Sequence, residues 1–144
     1  MSADPHDLER FVTAQQGVHD RALAELKAGR KQSHWMWFVF PQAAGLGHSP
    51  TARHYAIQSL NEARAYLAHP VLGPRLLAAT EAAADAPALS LHGLFGSPDD
   101  MKFVSSMTLF ALAAPDPAPF QRALDRWNGG AQDERTLKLT ASHP

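Results

Sequence analysis

The sequence predicts an all-α fold, and three observations carry that reading. Cap-then-proline pairs recur at Asp4-Pro5, Ser49-Pro50, Ser97-Pro98 and Asp116-Pro117. A short polar side chain that accepts a bond from a free amide, followed by a ring that fixes φ near its helical value, marks a helix start. Apolar residues then repeat at three- and four-residue spacing, as they do on one helix face. Nothing alternates polar and apolar for long enough to make a clear strand.

The elements follow in chain order. After Asp4-Pro5, Leu8, Phe11 and Val12 share a face, and Gly17 interrupts the helix. Val18, Ala22 and Leu26 line a second helix. Gly29 stands where a left-handed residue closes a helix, with Lys27 and Arg30 near the negative end of its dipole. Residues 35–40 are aromatic and β-branched, but a lone strand has no pairing partner, so they read as a short buried helix. Ser49-Pro50 opens the next helix. Ser59 with Glu62 predicts a reciprocal capping box, and Pro70 ends the helix behind it. Gly73-Pro74 starts an alanine-rich helix that Pro87 closes, and 90–95 form one or two turns. Ser97-Pro98 caps a long helix to about Ala113. Asp116-Pro117 caps another, with Phe120, Ala123, Leu124 and Trp127 on one face and Gly129-Gly130 beyond its end. Asp133 caps a last helix through Thr140. The expected architecture is one domain over residues 1–144, a compact and orthogonal array of six to eight short helices.

Composition narrows the function classes. The 144 residues are 45% hydrophobic, as in a globular domain. The net charge of -1 lacks the positive excess of a nucleic-acid binder. The absence of cysteine excludes disulfides, thiol catalysis and cysteine-held metals. The first residues carry no basic segment followed by an apolar run, and the longest apolar run, 35–41, is far below the ~20 residues that span a bilayer. A soluble, cytoplasmic protein without membrane contact is expected. The eight histidines include no pair four apart and no H-E-x-x-H, so no metal site or cofactor is expected.

Two stretches carry the candidate chemistry. In "GRKQSHWMWFVFPQ", 29–42, an apolar block with two indoles and an imidazole follows a basic turn. Buried indole and imidazole nitrogens need partners, so Trp35, Trp37 and His34 invite a role beyond filling space. Lys31, Ser33 and Gln42 surround them with polar groups. The following G-L-G at 45–47 offers free amides before a helix, a weak anion-binding signal. In "SPDDMKFVSSMTLF", 97–110, the spacing places Phe103, Val104, Met107, Phe110 and Ala111 on one helix face and Asp99, Lys102, Ser105 and Ser106 on the other. Serines in mid-helix either admit a close neighbour or bond something.

The string from Gly29 to Leu76, then "LFGSPDDMKFVSSMTLF" and "NGGAQDERTL", resembles the bacterial family known as domain of unknown function 1810, whose members are sometimes labelled calpastatin-like. The likeness runs from about Asp4 to Leu139, and its most distinctive strings are 33–42 and 105–110. It implies an all-helical, single-domain, cytoplasmic protein and carries no reaction with it. The family's polar motif residues fall on Lys31, Ser33, His34, Gln42, Tyr55, Ser59, His69, Asp99, Lys102, Ser105, Ser106, Asp133 and Thr136. The chain departs from the pattern at His19, where tyrosine is common, and at Trp127, where phenylalanine or tyrosine precedes Gly-Gly.

Two functional readings stand at this point. In the first, a small-molecule site takes an anionic, nucleotide or ADP-ribose-like ligand. There Lys31, Ser33, Trp35, Trp37, Gln42, Lys102, Ser105 and Ser106 bind, and His34, with an unperturbed pKa near 6.5, acts as general acid or base. In the second, the aromatic block is only core and the protein is a non-catalytic interaction module.

Overall fold

The computed structural model describes residues 4–144. Among the described residues ten helices follow one another: α1 Glu9–Gln15, α2 His19–Lys27, α3 Met36–Val39, α4 Pro50–His54, α5 Leu60–Ala68, α6 Leu72–Ala84, α7 Leu91–Phe95, α8 Asp99–Ala113, α9 Ala118–Asn128 and α10 Glu134–Ser142. The count exceeds the expected six to eight because the short elements expected at 35–40, after Ser49-Pro50 and at 90–95 each form a separate helix of four or five residues, α3, α4 and α7. No strand forms among the described residues; a single parallel bridge joins Ala43 to Ile57.

Helix α8 is the axis of the fold. Helices α5, α7, α9 and α10 all pack on it, and α6 closes against α2, α5 and α9. This central place overturns the two-faced reading of 97–110. Ser105, Ser106, Met107, Thr108, Leu109 and Phe110 are all buried, because neighbours surround the helix on nearly every side. Trp35, Phe40, Phe95 and Phe103 form an aromatic cluster with ring centroids 4.8–6.4 Å apart.

Of the expected caps, Ser49, Ser59 and Asp133 sit where the sequence indicates, whereas Pro117 takes the cap position of α9 and Asp116 only accepts from Ala118 N. The Oγ atoms of Ser49, Ser59 and Ser90 accept from the amides of Ala52, Glu62 and Gly93. Asp4 does not sit at the cap position of α1. Its carboxylate reaches over a turn to accept from Leu8 N (2.7 Å) and Glu9 N (3.0 Å), so the helix starts four residues later than the Asp4-Pro5 pair suggests. The capping box of α5 closes one residue early: Glu62 Oε1 accepts from Gln58 N rather than Ser59 N. Ser97 caps nothing; α8 starts after Pro98 with no side-chain cap. Gly73 lies inside the first turn of α6. A Cβ there would stand 2.2 Å from the Leu67 carbonyl oxygen, so only glycine lets α5 and α6 meet this closely.

Candidate functional site

The aromatic segment forms one helical turn, and this decides which of its side chains share a site. Helix α3 covers only Met36–Val39, so His34 and Pro41 lie outside it and no helical face joins them to Trp37 and Phe38. The turn before α3 is organised by Glu25, near the end of α2. Its carboxylate accepts from Gln32 N (2.7 Å), Ser33 N (2.9 Å), Ser33 Oγ (2.5 Å) and Trp35 Nε1 (3.0 Å). Burial alone would raise the Glu25 pKa, but the donors from Ser33, Gln32 and Trp35 outweigh it and bring it down to about 2. Ser33 and Trp35 are therefore spent on structure. Trp35 is fully buried in the aromatic cluster.

Lys31 is not an open anion contact either. Its ammonium lies 2.9 Å from Asp99 Oδ2 at the start of α8 and 5.1 Å from the Trp35 ring, with its side chain 8% exposed. Ser106 is wholly buried, and its Oγ has no partner within hydrogen-bond distance. His34 is exposed and lines no part of the cleft described below, which removes the geometric basis for a general acid or base at that position.

The other four predicted residues do meet. Trp37, Gln42, Lys102 and Ser105 line one cleft of about 300 Å³, bounded by α3, the 42–47 loop, α4, α8 and the start of α10. Tyr55, Asp133 and Arg135 complete its polar and aromatic lining, with Leu46, Met101 and small alanines between them. Lys102 Nζ sits 5.0 Å from the Trp37 ring centre and 3.5 Å from Asp99 Oδ1. Because Lys31 already holds Asp99 at 2.9 Å, Lys102 is only loosely tied to it and keeps charge for the cleft.

The wall carrying Tyr55 is fixed from behind. Ile57 N donates to Gln42 O and Ala44 N to Ile57 O, both at 2.8 Å, pairing the two connecting segments. Arg10 then holds both carbonyls that flank Tyr55, His54 O through Nε (2.8 Å) and Ala56 O through Nη2 (3.0 Å), and pairs with Glu62 at 2.7 Å. The Tyr55 ring packs on Phe11 and Phe38. Opposite, Asp133 caps α10 and is bonded to α8 by Ser105 Oγ. The 45–47 loop plays a steric role more than an anion-binding one: Gly47 lines the cleft, and a Cβ on it would fall 2.6 Å from Ala52 Cβ.

Arg135 was not visible from the sequence, since it is an ordinary first-turn residue whose direction depends on where α10 docks. Tyr55 and Asp133 stand among the motif positions, but nothing local joins them to the aromatic segment. Among the described residues no group of three histidine or acidic side chains stands close enough to hold a metal ion, and no helix is long and apolar enough to cross a membrane.

The family model described as protein of unknown function DUF1810 matches residues 5–140. The chain belongs to that family. The DUF1810 fold has a solved counterpart in the conserved hypothetical protein Rv1873 from Mycobacterium tuberculosis. Its crystal structure superposes with a TM-score of 0.93 at 51% identity, over 96% of this chain and 99% of that one. No curated protein matches. Of the motif positions in this DUF1810 chain, Gln42, Tyr55, Lys102, Ser105 and Asp133 converge on the cleft, while Ser59 caps α5 and His69 Nδ1 accepts from the amides of Val71 and Leu72 where α6 begins.

Proposed function

We propose that the cleft binds a small anionic molecule with a planar group, of nucleotide or ADP-ribose-like chemistry. The supporting observation is the meeting of the Trp37 and Tyr55 rings with two cations, Lys102 and Arg135, in one recess. An aromatic face offers a base somewhere to stack, worth about 1–3 kcal/mol. The lysine and arginine offer phosphate oxygens charged donors. The volume lies at the lower end of the roughly 300–1,000 Å³ range of ligand sites. It suits a mononucleotide, so a larger dinucleotide-like ligand would leave part of itself outside the recess.

The reading is one of binding. His34 has no place in it, and its ligand set is Trp37, Gln42, Lys102 and Ser105, joined by Tyr55, Asp133 and Arg135. An interaction module in place of a ligand site would call for a broad exposed apolar face. Among the described residues the large exposed apolar side chains are Leu77, Leu89 and Met101, on α6, the 85–90 connection and α8. Met101 belongs to the cleft rim.

Isothermal titration with AMP, GMP and ADP-ribose tests the proposal. Saturable binding is expected, weakened at least about tenfold when Lys102→Met and Arg135→Gln are combined, as loss of two charged hydrogen bonds requires. No saturable binding, or binding indifferent to both changes, overturns it.

A further inference from the structure

We infer that Asp133 makes the cleft selective for a ribose hydroxyl, so that it separates ribonucleotides from their deoxy counterparts; this rests on the nucleotide reading above. Asp133 is held from two helices. Its amide donates to Thr108 Oγ1 on α8 at 2.9 Å. One carboxylate oxygen, Oδ2, accepts from Thr136 N (3.0 Å), Thr136 Oγ1 (2.6 Å) and Ser105 Oγ (3.3 Å). Those three donors fix the plane of the carboxylate and use one oxygen only. Oδ1 takes none of the hydrogen bonds made by described residues, and the residue lines the cleft beside Arg135.

The chemistry of a spare carboxylate oxygen limits what it can meet. An ionised carboxylate only accepts, so it repels a phosphate and welcomes an O–H or N–H. Lys102 and Arg135 in the same recess favour the opposite charge. A ligand that satisfies all three must carry an anion, a neutral donor a short distance from it, and a flat group for Trp37 and Tyr55. A simple aromatic acid lacks the donor, and a sugar phosphate lacks the flat group. A ribonucleotide carries all three, its sugar hydroxyls supplying the donor. Carboxylates read ribose hydroxyls in the same way at other nucleotide sites.

The experiment compares AMP with 2′-deoxy-AMP and 3′-deoxy-AMP by titration calorimetry, on the wild type and on Asp133→Asn. Asparagine is also a good cap, so α10 keeps its start. Removal of at least one hydroxyl is expected to weaken binding to the wild type about tenfold or more, the factor of a hydrogen bond to a charged group. In Asp133→Asn the three nucleotides are expected to bind within about twofold of each other, since the charged acceptor is gone. Equal binding of all three to the wild type overturns the hydroxyl inference and leaves the nucleotide reading intact. The same follows if a folded Asp133→Asn discriminates as the wild type does. No AMP binding at all overturns both. The wild-type comparison decides the matter even where the variant fails to fold.

Discussion

Trp35 and Trp37 stand two residues apart, and their indoles serve different surroundings, one the core and the other the cleft. Trp35 is fully buried, with its N–H on Glu25 at 3.0 Å and its ring against Phe40 and Phe95. Trp37 is half-buried, lines the cleft, and carries Lys102 at 5.0 Å from its ring centre. One helical turn thus joins the aromatic core to the recess. The Lys31 ion pair with Asp99 ties the same turn to the start of α8, where the other wall of the cleft begins.

The two tryptophans should therefore separate stability from binding. Trp35→Ala is expected to cost about 3–5 kcal/mol, as other buried aromatic truncations do. Trp37→Ala is expected to leave the guanidinium unfolding midpoint nearly unchanged. It should weaken AMP binding about tenfold to a hundredfold, in keeping with the worth of base stacking. Unfolding curves and calorimetric titration on the two variants check this. A Trp37→Ala protein that binds as well as the wild type would remove the stacking wall from the proposal.

Lys31 lies outside the cleft but should affect it. Its 2.9 Å contact neutralises Asp99 and leaves Lys102 at 3.5 Å from the same carboxylate. Lys31→Met should draw Lys102 back to Asp99 and lower its attraction for an anion. The expected outcome is a several-fold rise in the AMP dissociation constant. A stability loss of about 1–3 kcal/mol should accompany it, because a half-buried carboxylate loses its closer partner. Restoring charge with Lys31→Arg should recover part of both. Titration and thermal unfolding measure the two effects separately.

The helical class was legible because caps, prolines and apolar spacing act within a few residues. Ser49, Ser59 and Asp133 all cap where those local rules put them. The site was legible only in part. Trp37, Gln42, Lys102 and Ser105 were recognisable as unusual residues, yet so were Trp35, Ser33, Lys31 and Ser106. Only tertiary packing tells the two sets apart: Glu25, eight and ten residues before Ser33 and Trp35, consumes their donors, and α8 turned out to be surrounded. His34 misled for the same reason. Trp35 and Met36 after it are buried, but the chain turns before α3 and leaves the imidazole outside. Arg135 gave no local signal, since its direction depends on how α10 docks.

Ser105 and Ser106 should behave in opposite ways. Ser105 Oγ donates toward Met101 O and Asp133 Oδ2 at the cleft. Ser106 Oγ is buried without a protein partner, which is costly for a hydroxyl. Ser106→Ala removes that group and adds helix propensity, so the protein should be as stable as the wild type or about 1 kcal/mol more so, with AMP binding unchanged. Ser105→Ala removes one of the two bonds that hold Asp133 to α8, the one to its carboxylate, and should weaken AMP binding, with a loss of about 1 kcal/mol in stability. Urea denaturation and titration of both variants make the comparison.

Acid should weaken the turn that joins core and cleft, through Glu25. Its pKa stands at about 2 in the folded protein against 4.5 for an unperturbed glutamate. The unfolded chain thus binds the proton first as pH falls. The stability Glu25 contributes is complete above about pH 4.5, declines as pH drops toward 2, and is gone below that. Solvent reaches this half-buried carboxylate, so the loss should be about 1–2 kcal/mol rather than the full linkage value. Asp4, lowered by the amides of Glu9 and Leu8, adds a slope of the same sign. In Glu25→Gln the decline between pH 4.5 and 2 should therefore shrink without vanishing, while stability at pH 7 falls because one amide oxygen cannot replace a carboxylate that takes four bonds. Urea midpoints measured at half-unit steps from pH 7 to 2.5 on both proteins test it. Parallel curves would show that the carboxylate is not what holds the turn.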